Sequence, residues 1–172
     1  PLRHIANSPA LARFPETRLD LVRLGKGLYG TAVRPDDQAN LRTVGVLKTV
    51  ISQIKHVKAG ETVGYGRRGQ VSRDSRIATI AIGYADGYHR SLSRGVGKVM
   101  INGTLCPTIG NVCMDMTMID VTDADCAEGD EVILFGDNPT IRDLAAWTDT
   151  IPYEILTSVS ERVRRVFCRE GK

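Results

Sequence analysis

Ile77 to Ile82 is an unbroken run of six residues that are all apolar or threonine, so both alternating faces of the segment avoid water. That pattern reads as a short strand covered on two sides. The run stops at Gly83. Asp86-Gly87 follows two residues later, and the two glycines with the aspartate supply turn chemistry on either side of Tyr84. A phenol is therefore presented at a strand end, where a rigid scaffold holds a reactive group toward a cleft; packing is the commoner use of a tyrosine in such a place.

A strand covered on both faces needs other strands around it, and the chain supplies them from about residue 43 onward. Thr43 to Val57 carries one or two strands, Ala59-Gly60-Glu61 turns, and Gly64-Tyr65-Gly66 with Gly69 forms a loop or bulge before the strand Ser75 to Ile82. Asn102-Gly103, set between Val99-Met100-Ile101 and Thr104-Leu105-Cys106, is a hairpin signal, because both central positions of a type I′ turn need positive φ. Met116 to Val121 and Glu131 to Phe135 are further strands. Thr140 with Asp143 reads as a capping box opening a short helix to Trp147, and Pro152 suits the first position of a second helix ending at Ser158. Arg162 to Cys168 reads as a last strand. The expectation is a mainly β domain, a barrel or sandwich of short strands with two short helices.

Residues 1–34 have a different texture. Pro9 to Arg13 suits a helical turn and Leu21-Val22-Arg23-Leu24 a short strand before Gly25 and Gly27, the rhythm of an α/β unit. Thirty residues cannot complete an α/β domain, so the segment reads as the tail of one, joined through the polar stretch Arg34 to Asn40. The start at Pro1-Leu2-Arg3-His4 has no initiator Met and no signal-peptide core, and reads as a piece of a longer chain. The expected division is 1–34 and 35–172.

Composition narrows the function. The formal charge is +3 and aromatics make up 5% of the chain, so there is no basic stripe with stacking aromatics, and nucleic-acid binding has little support. The run Arg162-Val163-Arg164-Arg165 beside Glu161 is more simply a solvated strand face. No apolar run approaches the ~18 residues of a membrane span. Cys106, Cys113, Cys126 and Cys168 form no C-x-x-C pair and the histidines are isolated, so zinc has no spacing to rest on. Reduced thiols and a cytoplasmic location are expected.

Taken singly, the stretches His4-Ile5-Ala6-Asn7-Ser8, Val22-Arg23-Leu24-Gly25 with Leu28-Tyr29-Gly30, Ile82 to Gly87, Gly110 with Cys113-Met114-Asp115, and Ile151-Pro152-Tyr153-Glu154 are weak signals. Their joint order resembles the C-terminal part of alanine racemase, the pyridoxal-phosphate enzyme that interconverts L- and D-alanine for peptidoglycan. The likeness runs nearly end to end. It implies that residues 1–34 are the remnant of an N-terminal (β/α)8 barrel that binds pyridoxal 5′-phosphate and that 35–172 are the C-terminal β-domain.

The resemblance also implies roles. Racemisation removes a proton from one face of Cα and returns it on the other, so two acid/base groups must oppose each other. Tyr84 matches the tyrosine base. A free phenol titrates at ~10 and needs a nearby cation to serve as a base at neutral pH. Arg23 matches the arginine at the pyridine nitrogen, and His4 the histidine linking that arginine toward the tyrosine. Ser8, the backbone at Gly25 and Lys26, and Tyr153 match the phosphate cradle; Lys26 stands where the family usually has an aliphatic residue. Met114 and Asp115 match residues that reach the substrate in the partner subunit of a homodimer with shared active sites. The opposing lysine has no match among Lys26, Lys48, Lys55, Lys58, Lys98 and Lys172, so this chain by itself is expected to be inactive. A serine or broad-specificity amino-acid racemase would carry nearly the same motifs. A β-domain kept as a non-catalytic assembly module is the alternative from another class.

Overall fold

The computed structural model describes residues 1–169. Lys172 and the end of the expected second domain lie outside them. The described chain begins with the short helix α1 (Ser8–Arg13) and a series of 3-10 turns, including Lys26–Tyr29 and Pro35–Asn40. Eight strands follow: β1 (Leu47–Val57), β2 (Thr62–Val63), β3 (Gly69–Gln70), β4 (Ser75–Ile80), β5 (Lys98–Ile101), β6 (Thr104–Pro107), β7 (Thr117–Asp120) and β8 (Glu131–Phe135). Two helices, α2 (Ile141–Trp147) and α3 (Pro152–Ser158), close the series.

Six of the strands form one antiparallel sheet in the order β6-β5-β8-β1-β4-β7. Its two edges come back together: Thr108 bridges Ile119, and the Ile109 N–H donates to the Met118 carbonyl at 2.9 Å. The sheet is thus a nearly closed barrel. β1 makes this possible. Its first residues pair with β8 and its last with β4, with register shifts at Leu47/Lys48 and between Ile51 and Gln53, and such bulges bend a strand around a corner.

β4 is covered on both faces, as its composition requires. Ala78 and Ile80 point into the barrel among Ile51, Ile101, Ile119, Val132 and Leu134, while Ile77 packs outward against Val71 and Met118 beside the β2–β3 ribbon. At the hairpin between β5 and β6, Asn102 and Gly103 both take positive φ, 45° and 81°. Thr140 caps α2 as a capping box: Asp143 takes the Thr140 N–H at 2.7 Å and returns its own N–H to the threonine hydroxyl at 3.2 Å. Ile141, Leu144 and Ala145 of α2 and Ile155 of α3 then join the core.

Two expectations for strands are corrected. Leu21 to Leu24 makes a single parallel bridge, Leu21 to His4, rather than a strand. Arg162 to Cys168 is not a strand either. The barrel closes edge to edge through β6 and β7, which leaves that segment no ladder to join, and its arginines are taken up locally. Arg165 donates to the carbonyls of Val159, Ser160 and Val163, curling the chain back on itself.

Candidate active-site face and anion cradle

The residues singled out by sequence fall into two groups. The first surrounds the Tyr84 turn. β4 ends at Ile80, the Thr117 hydroxyl donates to the Ile82 carbonyl at 2.8 Å, and the chain then enters a 3-10 turn over Tyr84–Asp86. A Cβ on Gly83 would lie 2.3 Å from the Cys113 carbonyl oxygen and 2.4 Å from that of Met114. Only glycine lets the two stretches approach so closely. The contact is used: the Tyr84 N–H donates to Cys113 at 2.9 Å and the Ala85 N–H to Met114 at 3.0 Å. Tyr84, Met114 and Met116 are all exposed.

Asp86 and Asp115 are tied together by Arg162, from the segment expected to be a solvated strand face. The Arg162 Nε donates to Asp86 at 2.7 Å and its Nη2 to Asp115 at 2.6 Å. Burial works against ionisation of Asp86, but the Arg162 and Gly83 hydrogen bonds and the Arg162 charge outweigh it and hold the carboxyl below its ordinary range. Hydrogen bonds to Asp86 and Asp115 push the Arg162 pKa further up. Burial raises the Cys113 thiol, against a smaller opposing pull from Arg90.

A second tyrosine, outside the motifs singled out above, borders the same loop. Tyr65 is 76% exposed against 42% for Tyr84, and its carbonyl accepts from the Asn111 side-chain amide at 3.4 Å. The turn that carries it is built from left-handed backbone, with φ 76° at Gly64, 65° at Gly66 and 53° at the non-glycine Arg67. The flanking glycines were the legible signal. Arg162 had none, because its partners lie 76 and 47 residues away.

The second group is the cradle formed by Ser8, Gly25, Lys26 and Tyr153. Ser8 opens α1, buried to 3% exposure, and its Oγ accepts the Gly25 N–H at 2.8 Å. Tyr153, on the first turn of α3, accepts the Lys26 N–H on its hydroxyl at 3.4 Å. The Lys26 ammonium stands 5.9 Å from the centre of the Tyr153 ring. A Cβ on Gly25 would come to 3.0 Å from the Tyr153 hydroxyl and 3.5 Å from the Ser8 oxygen, so this glycine lets two hydroxyls and two N–H groups converge. Arg23 lies alongside, its backbone N–H on the Ala6 carbonyl at 2.9 Å and its guanidinium on the Ile5 carbonyl at 3.2 Å. His4 is held near it by the bridge to Leu21. Among the described residues no hydrogen bond joins His4 to Arg23, or either of them to Tyr84.

Comparison with known proteins gives these two groups a context. Residues 44–167 match the family model described as alanine racemase, C-terminal domain. The chain is 42% identical to alanine racemase 1 of Clostridium acetobutylicum over 179 aligned residues, which cover 99% of this chain and 46% of that protein. Alanine racemase of Clostridium novyi is likewise 42% identical over 99% of this chain. Among solved structures, alanine racemase of Clostridium difficile 630 superposes with a TM-score of 0.91 at 38% identity, over 99% of this chain and 46% of that one. The enzyme from D-cycloserine-producing Streptomyces lavendulae superposes at 0.90, also with 38% identity. The chain spans about half the length of the curated relatives that it matches. With its closing sheet, its two helices and its residues 44–167 all accounted for by that match, the chain belongs to the alanine racemase family, of which it carries the C-terminal domain.

Proposed function

We propose that the longer protein to which this chain belongs is a pyridoxal-phosphate-dependent alanine racemase, interconverting L- and D-alanine in the cytoplasm for peptidoglycan, and that residues 1–34 are the end of its barrel. The observation that carries the proposal is the exposed face on which the Tyr84 turn and the Met114–Asp115 loop are joined by main-chain hydrogen bonds. An acid/base side chain presented on a rigid face needs a substrate brought to it from outside, and a second subunit's barrel is the source in a head-to-tail homodimer.

The cradle fits the phosphate end of the cofactor. A side chain at Gly25 would crowd Tyr153, and the surrounding groups are neutral hydroxyls and backbone N–H donors, with the Lys26 cation beside them and Arg23 two residues earlier in the chain. This donor set suits an anion. Ser8, Gly25, Lys26 and Tyr153 would hold the phosphate, and Arg23 would face the ring nitrogen. Bound there, pyridoxal phosphate supplies an electron sink for the charge left when the Cα proton departs.

The work of this chain is then to hold that phosphate and to move one proton with a phenol. The motif order assigns the phenol to Tyr84. Tyr65 is a second reading that specific observations favour: it is the more exposed of the two, and it stands on a turn where the non-glycine Arg67 takes φ 53°, a kind of strain that clusters at working sites. The opposite face of Cα falls to a group outside this chain's motifs. Racemisation of L-alanine by the full-length protein, compared with L-serine, tests the reading. Conversion of alanine at well above the serine rate is the expected result, and no racemisation of either would overturn it.

A further inference from the structure

We propose that Arg162 is a positioning residue for the proposed active-site face: its guanidinium clamps the turn carrying Tyr84 to the loop carrying Met114 and Asp115, so that the two present a single surface. The proposal rests on the racemase reading for its functional meaning, but the clamp itself is a matter of geometry. Arg162 spans two carboxylates from separate elements, Nε to Asp86 at 2.7 Å and Nη2 to Asp115 at 2.6 Å. The other Asp86 oxygen takes the Gly83 N–H at 2.8 Å. Asp86 therefore closes its own turn and receives the clamp with the same carboxylate.

The segment that delivers Arg162 is itself anchored. The Ser160 N–H donates to the Asp86 carbonyl at 3.1 Å. Gly87, at φ 104°, lies so close to the end of α3 that a Cβ there would be 2.4 Å from the Ser158 carbonyl oxygen. Arg165 binds three carbonyls of the same segment, so the backbone from 159 to 165 is a fixed bracket rather than a loose tail.

An exposed ion pair normally contributes little. This one differs because the Asp86 side chain is only 13% exposed, and removing its cation strands a largely buried carboxylate. Arginine suits the role because its planar fork can address two carboxylates at once, which the point charge of lysine cannot. The backbone bonds from Tyr84 and Ala85 set the distance between turn and loop; the clamp sets their relative tilt. A displacement of about an ångström on a surface that faces the substrate costs up to ~10²-fold in rate, whichever phenol on that face moves the proton.

The test compares wild type, Arg162→Lys and Arg162→Ala in the full-length protein by amide hydrogen exchange and steady-state kinetics. Exchange at Gly83, Tyr84 and Ala85 should quicken at least ~10-fold in both variants while β8 amides stay protected, since only a local opening is released. kcat for alanine should fall at least ~10-fold with KM changed less. Unchanged exchange at the turn overturns the clamp, as does a rise shared equally by β8, which would mark a general structural role. Local loosening with full kcat overturns the positioning role. If wild type racemises no amino acid while the variants still loosen the turn, the clamp stands and the racemase reading has failed.

Discussion

The Tyr84 N–H donates to the carbonyl of Cys113 at 2.9 Å, a bond between residues 29 positions apart that exists because Gly83 has no side chain. Gly83→Ala should therefore be among the more damaging small substitutions in the domain. The added methyl would sit within 2.5 Å of main-chain atoms of Cys113 and Met114, which cannot move aside as a side-chain tip would. A loss of about 1–3 kcal/mol is expected from overpacking of this kind, read as a lower urea midpoint. Gly45→Ala is the control for steric crowding, since its φ is not positive and the nearest atom to its Cβ position, on the Phe135 ring, is 4.0 Å away.

Tyr65→Phe and Tyr84→Phe, made separately in the full-length protein, decide which phenol moves the proton. Each removes one hydroxyl from an exposed side chain, so neither should alter the fold. The one that serves as base should lose at least ~10²-fold in racemisation, and exposure and loop geometry favour Tyr65. Exchange of the Cα proton with solvent should be slowed more from L-alanine than from D-alanine. A loss confined to Tyr84→Phe would return the role to Tyr84, and equal slowing of both exchanges would contradict the face assignment.

Acid should loosen the Tyr84 turn before the barrel. The Asp86 carboxyl titrates lower in the folded protein than in the unfolded chain, so its contribution is fully present above the unfolded value of ~3.9 and is lost as pH falls below that, through the depressed folded value. Asp86→Asn should flatten this part of the stability curve. Thermal melts from pH 2 to pH 6 check it: a wild type and variant with parallel pH dependence would exclude Asp86 as a source.

Ser8→Ala and Tyr153→Phe should each weaken the hold on pyridoxal phosphate by about 10-fold or more. Each removes a hydroxyl that lies against Gly25 and Lys26, and a hydrogen bond to a charged group contributes about 1.5–3 kcal/mol. Cofactor titration followed by absorbance on the full-length protein provides the measurement. Lys26→Ile should act in the same direction with a salt-dependent component, because an exposed cation is screened where a hydroxyl is not.

Thiol labelling should be ordered by burial. Cys168 is exposed while Cys106 is buried, and burial first, then the charges of Cys126, Asp120 and Asp123, push the Cys106 thiol up to about 11. Cys168 should label in the native state and Cys106 only on unfolding, as mass spectrometry of timed samples would show.

Local chemistry made much of this protein legible from its residues alone. The run from Ile77 to Ile82 announced a strand covered on both faces, Asn102-Gly103 a hairpin, and Thr140 with Asp143 a helix start, because each signal is complete within a few residues and answers to steric or capping rules. Gly83 was legible as a turn residue, but its close approach to Cys113 and Met114 was not. Closure of the sheet was not legible: it depends on Thr108 meeting Ile119 across the barrel, and that meeting is what denied Arg162–Cys168 a place as a strand. The reach of Arg162 to Asp86 and Asp115, and the arrival of Tyr65 beside Asn111, were likewise decided by tertiary structure, since no periodicity in a sequence records which distant side chains a closed barrel brings to one face.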